Sequence, residues 1–174
     1  MEINLTQLTS GSKVQIDFDC SLSPDDNQVK EARLIAWGPI VAHGKIYLVD
    51  KDFYCYLELN YNYTKSCDRC LEPMSQMVSY QATILLKDKA LADSYDATET
   101  DRTDIDVGFY QNYFYNPEQD IFDYAYLALP QKSVCDSECK GICSNCGCNL
   151  NTETCDCADE VIDPRLEVLK GLLD

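Results

Sequence analysis

The run 53-FYCYLELNYNYTKSCDRC-70 decides how the rest of the chain is read. Phe53, Cys55, Leu57, Leu59, Tyr61 and Tyr63 occupy alternate positions, and apolar–polar alternation with a period of two marks a half-buried strand. Its aromatic bias favours an antiparallel sheet with one face on the core. The strand runs directly into Cys67-Asp68-Arg69-Cys70, and Met77 to Leu86 reads as a further strand. The cysteine pair is therefore expected at the hairpin-like link between two strands.

Towards the N-terminus, Val14, Ile16 and Phe18 alternate with Gln15 and Asp17 ahead of a turn around Ser23-Pro24-Asp25-Asp26. Ala32 to Val49 forms one β-like stretch, interrupted at Gly38-Pro39 and again near Gly44, where His43 is expected as a bend residue. Towards the C-terminus, Asp88 to Asp106 is an acidic loop and Ile105 to Tyr115 another strand. Asn116-Pro117-Glu118 starts a helix over about 117–129: Asn caps it, Pro occupies the first helical position and acids fill the first turn. Ile121, Tyr124, Ala125, Ala128 and Leu129 keep helical spacing until Pro130. Asp163-Pro164 starts a short closing helix carrying Leu166, Leu169, Leu172 and Leu173. The expected fold is α+β. An antiparallel β-rich domain (sheet or small barrel) with one mid-chain helix occupies residues 1–130. A cysteine-rich zinc module with the closing helix occupies 131–174 and packs on the first domain.

Thirty Asp and Glu against fourteen Lys and Arg give the 174-residue chain a net charge of −16. Phosphate backbones are bound mainly through Lys and Arg, so this balance favours a basic protein over a nucleic acid as partner. Met1 to Ser10 has neither the basic nor the apolar region of an export signal, and no apolar run approaches the ~18 residues of a membrane span. Eleven cysteines without an export signal point to thiolate chemistry in a reducing compartment, hence a cytosolic protein.

Seven of those cysteines lie between Cys135 and Cys157, spaced C-x3-C-x3-C-x2-C-x-C-x6-C-x-C. Thiols two to four residues apart can reach one tetrahedral ion, which is how structural zinc is held. With the Cys67–Cys70 pair the arithmetic gives two four-thiolate sites. Cys143, Cys146, Cys155 and Cys157 make a local one, and Cys67, Cys70, Cys135 and Cys139 make one that joins the tail to the hairpin link. A single shared cluster, or a site that uses Cys148, are the other partitions. Gly141 and Gly147 fall where tight turns are needed, and Cys20 and Cys55 read as core residues. With one histidine, no phosphate-binding glycine loop and no nucleophile elbow, no catalytic set emerges.

Cys67 to Pro73 reads C-x-R-C-L-E-P, Ala128 to Pro130 A-L-P, Cys139 to Gly147 C-K-G-I-C-S-N-C-G, Asn149 to Asn151 N-L-N and Ile162 to Leu166 I-D-P-R-L. In this order they resemble the YceD family over nearly the whole chain; Cys148 departs from the pattern. The resemblance implies a factor needed for 23S rRNA accumulation and large-subunit assembly. It supplies no catalytic residues. Expected partners are a basic large-subunit ribosomal protein or the 23S rRNA precursor, with no membrane and no small-molecule substrate. A thiol redox protein or zinc-dependent enzyme is the alternative.

Overall fold

In the computed structural model, residues 1–90 and 106–157 are described. Of the acidic loop expected over Asp88–Asp106, residues 91–105 lie outside the described residues, Asp88 ends one strand and Asp106 starts another, and the closing helix expected from Asp163 also lies outside them. By its internal contacts the chain divides into two compact units, one of residues 1–66 and 73–133, the other of 67–72 and 134–174.

The first unit contains the described strands β1 (Ile3–Asn4), β2 (Gln15–Leu22), β3 (Ala36–Trp37), β4 (Ile40–Val49), β5 (Asp52–Ser66), β6 (Pro73–Asp88), β7 (Asp106–Tyr110) and β8 (Phe114–Tyr115). Its helices are α1 (Thr6–Thr9), α2 (Asp26–Glu31) and α3 (Glu118–Leu127). The main sheet is open, in the order β2-β4-β5-β6-β7, with β3 pairing on β5; β1 and β8 form a separate two-stranded sheet. β5 and β6 pair antiparallel from Phe53↔Leu86 to Ser66↔Pro73. The alternating residues of β5 are its buried face: Phe53, Cys55, Leu57, Leu59, Tyr61 and Tyr63 are each 3% exposed or less. They join Ile40, Ala42, Ile46, Ile84, Leu86, Ile121 and Ala125 in one core. Burial pushes the Cys55 thiol up to about 12, with the Asp120 charge adding to it, so Cys55 is an inert core residue.

Several local expectations are corrected. The segment expected as one strand over Ile105–Tyr115 is two strands in its described part, because Asn112 and Tyr113 take left-handed backbone (φ 50 and 62) and turn the chain between β7 and β8. β7 pairs with β6 in parallel, unlike the rest of the sheet. The expected turn at Ser23–Asp26 opens instead into α2, where Asp25 accepts from the N–H groups of Asn27 and Gln28 and Gln28 Oε1 accepts from the Asp25 N–H. His43 lies within β4, exposed and paired with Asp19 across the β2–β4 ladder, and β4 passes through Gly44 without a break. The ring of Phe18, opposite Gly44, fills the space where a Cβ would stand.

α3 starts where Asn116 Oδ1 accepts from the Glu118 N–H at 3.1 Å, although Pro117 takes the cap position itself. It buries Ile121, Tyr124 and Ala125, and its Ala125 carbonyl accepts from Tyr61 Oη at 2.5 Å. Tyr115 Oη donates to Asp120 Oδ2 at 2.6 Å. Burial still raises the Asp120 carboxyl above its ordinary range, with Asp123 adding to the effect. A carboxyl with a raised folded pKa binds its proton more tightly when folded, so its ionisation costs stability at neutral pH. That cost disappears as pH falls through the folded pKa. Asp120→Asn is therefore expected to raise Tm by about 2 °C at pH 7, with the gain vanishing near about pH 4; melts at the two pH values check it.

Candidate metal centres

Each CxxC pair is shaped by its own backbone. In the link between β5 and β6, the Leu71 N–H reaches the Cys67 carbonyl at 3.0 Å and the Arg69 N–H points at Cys67 Sγ at 3.4 Å. The second knuckle repeats this: Gly147 N–H to the Cys143 carbonyl at 2.9 Å, Asn145 N–H to Cys143 Sγ at 3.4 Å. Both turns end on a left-handed residue, Leu71 at φ 64 and Gly147 at φ 76.

All eleven cysteines are free thiols, and eight form two quartets: Cys67, Cys70, Cys135 and Cys139, and Cys143, Cys146, Cys155 and Cys157. Within each, the sulfurs lie within 4.8 Å of one another. A tetrahedral ion with metal–sulfur bonds of about 2.3 Å needs sulfurs about 3.8 Å apart. The measured separations bracket that figure: Cys67–Cys139 is 3.9 Å, Cys70–Cys135 3.6 Å, Cys146–Cys155 3.6 Å and Cys143–Cys155 3.3 Å. Both quartets can hold a metal ion. Cys148 belongs to neither; its carbonyl accepts from the Cys143 N–H at 2.9 Å, and hydrogen bonding to Cys146 pushes its thiol up to about 12.

Charge is distributed unevenly among these thiols. Burial opposes ionisation of Cys67, but the N–H groups of Cys70, Arg69 and Cys135 outweigh it and bring the thiol down to about 6. The N–H groups of Cys146 and Asn145 bring Cys143 down to about 6. Cys135, hydrogen-bonded to Cys139 and Cys70, is held up at about 12, as is Cys157 by Cys155 and Cys146. Each quartet thus combines ready thiolates with thiols that hold protons against their neighbours' charge, and a divalent cation bound there would replace those protons.

Sequence reading offers Arg69, with Lys65, Lys132 and Lys140, as cations that offset the thiolate charge, and leaves Asn149 and Asn151 of the N-L-N motif without a role. Asn151 Nδ2 donates to Cys139 Sγ at 3.3 Å while its Oδ1 accepts from the Lys140 N–H at 2.8 Å, and Asn149 Oδ1 accepts from the Asn151 N–H at 3.0 Å. Arg69 Nη1 donates to the carbonyls of Ser137 (3.2 Å) and Cys139 (2.9 Å), joining the link to the tail segment and placing a positive charge beside the first quartet. Such outer partners orient ligands and tune their basicity. Gly141 is left-handed (φ 78), and a Cβ there would stand 3.1 Å from the Arg69 carbonyl oxygen. Gly141→Ala is expected to cost about 1–2 kcal/mol and to speed loss of metal from the first quartet to a chelator. Gly147→Ala, which meets open space, should cost only its backbone strain.

Placed against known proteins, residues 56–173 match the model of the family described as large ribosomal RNA subunit accumulation protein YceD. The chain belongs to the YceD family. Its relatives are partial matches. Over 43 residues it is 46% identical to the chloroplastic large ribosomal RNA subunit accumulation protein YCED homolog 1 of Arabidopsis thaliana, covering 25% of this chain and 13% of that protein. An uncharacterized protein of Mycobacterium bovis is 36% identical over 107 residues, 62% of this chain and 49% of its own length. The Zea mays YCED homolog 1 is 27% identical over 132 residues, covering 63% and 45%. The chain spans about half the length, or less, of these curated relatives. No solved structure matches it. No described helix of this YceD-family chain is long and apolar enough to cross a membrane.

Proposed function

We propose that the two quartets bind structural zinc and that the protein serves large-subunit ribosome biogenesis as a binding factor in a reducing compartment. The observation that carries the metal reading is the pair of four-thiol groups at tetrahedral spacing. Cys67, Cys70, Cys135 and Cys139 would hold one ion and Cys143, Cys146, Cys155 and Cys157 the other. Four thiolates complete the shell of a zinc ion and leave no open position for a substrate, which argues for structure over catalysis. His43, the one histidine, lies exposed on a strand beside Asp19 and belongs to neither quartet.

The family description supplies the ribosomal setting, and the −16 charge favours a basic large-subunit ribosomal protein as partner. A second reading is direct binding of the 23S rRNA precursor, favoured by the exposed rings of Phe109, Tyr113 and Phe114, which offer stacking faces. Metal per chain, measured by elemental mass spectrometry on untagged protein, tests the first part. Two zinc ions are expected, with Cys67→Ser and Cys146→Ser each losing one; iron with sulfide, or no metal, rejects it. For the second part, purified large-subunit proteins should be captured at low salt, whereas capture of precursor 23S rRNA alone favours the second reading.

A further inference from the structure

In the first unit, α2, β3 and α3 enclose a pocket of about 240 Å³ lined by Gln28, Glu31, Trp37, Gln119, Phe122, Asp123 and Tyr126. Three of the seven are aromatic, two are acids and none is basic. We infer that this pocket takes an arginine side chain from a basic partner protein, an inference that rests on the basic-partner reading above.

The size is below the roughly 300–1,000 Å³ of small-molecule sites and suits a single long side chain. Aromatic faces attract a cation, and carboxylates at the rim accept the N–H groups of a planar guanidinium in pairs, which a lysine ammonium does not match. The carboxylates are available. Among the described residues neither Glu31 nor Asp123 makes an ion pair, and Asp123 uses only Oδ1, which accepts from Gln119 Nε2 at 2.9 Å. Gln28 is already committed to capping α2 through Oε1, so its side chain helps to fix the wall. Trp37 forms the β3 side of the wall. It is 8% exposed, and its buried Nε1–H has no hydrogen-bond partner among the described residues. A buried donor without an acceptor costs on the order of 1–3 kcal/mol. Tyr126, 52% exposed, and Leu127, 70% exposed, provide apolar surface at the C-terminal end of α3 for the flanking chain.

Trp37 is the only tryptophan, so its indole N–H resonance reports on this pocket alone. The full chain is titrated with an acetylated, amidated peptide of alternating arginine and glycine, and with its citrulline counterpart. The arginine peptide is expected to shift the indole resonance saturably and the citrulline peptide to leave it in place. Glu31→Gln/Asp123→Asn should weaken binding about tenfold, while Asp17→Asn/Asp50→Asn, an equal charge change elsewhere, should not. An indole resonance that stays still while other amides move overturns the inference, and so does equal weakening in both double variants. Capture of purified basic large-subunit proteins separates the two levels. Equal capture by wild type and Glu31→Gln/Asp123→Asn rejects the pocket but keeps the basic-partner reading, and capture by neither rejects both.

Discussion

Removal of the proposed zinc ions with a strong chelator is expected to unfold residues 67–72 and 134–157 while the first unit stays folded. Among residues 67–72 and 134–157 only Cys67, Cys70, Cys139 and Gly141 are buried, so the described residues of that unit form no apolar core of their own. The core cluster lies entirely in the first unit. Structural zinc supplies on the order of 10 kcal/mol to small metal-folded peptides, far more than the surrounding hydrogen bonds provide. Loss should occur in two phases. Cys146 and Cys157 are exposed, whereas Cys67, Cys70 and Cys139 are buried, so the second quartet should yield its ion first. Limited proteolysis reads the outcome: cleavage after chelation should fall beyond residue 134 and within 67–72, with the sheet protected. A tail that resists protease equally well without metal would rule out metal-dependent folding of this unit.

Gly44→Ala is the substitution expected to damage the first unit most. A Cβ on Gly44 would stand 2.0 Å from Phe18 Cζ, 2.1 Å from Cε1 and 2.6 Å from Cε2. Phe18 is 8% exposed and packed in the core, so its ring cannot swing clear without leaving a void. Overpacking of this kind costs typically 1–3 kcal/mol and occasionally more; about 3 kcal/mol is expected here, or a fall in Tm on the order of 10 °C. The double variant Phe18→Ala/Gly44→Ala isolates the cause. With the ring gone the added methyl has room, so the double variant should be no less stable than Phe18→Ala alone, giving a coupling of about 3 kcal/mol. Additive losses would mean that Gly44 is required for a backbone reason instead.

Gly44 also shows where sequence reading stops. A glycine within a strand pattern reads as a break, yet here it is the gap that an aromatic from the neighbouring strand needs, and only the Phe18↔Gly44 register reveals it. β5 was legible because one face of a central strand is buried along its length, so alternation survives in the letters. The direction of β7 was not, since alternation is the same for parallel and antiparallel strands and the connection between them decides. α2 left a trace in Asp25-x-x-Gln28, a capping pattern hidden by the turn-forming residues around it. In the candidate centres, close spacing shows which thiols share a turn, because short turns restrict where two side chains can go, and it leaves the partition between the pairs open. The contacts of Arg69 depend on a segment about 70 positions away, which nothing local encodes, whereas Asn149 and Asn151 act within their own stretch of chain and left a trace in the N-L-N motif.

The six residues between β5 and β6 that belong to the second unit impose an order of events on synthesis. Cys67 and Cys139 stand 72 positions apart, and ribosomes add roughly 5–20 residues per second. For roughly 4–14 s the first knuckle is outside its final coordination, with two thiols presented and their counterparts not yet made. An ion caught early can be held by only half a shell, and completion waits until Cys135 and Cys139 have been made. Closure of the proposed site would therefore report that synthesis has passed Cys139, and a product terminated before Cys135 would betray itself by the unpaired Cys67 and Cys70.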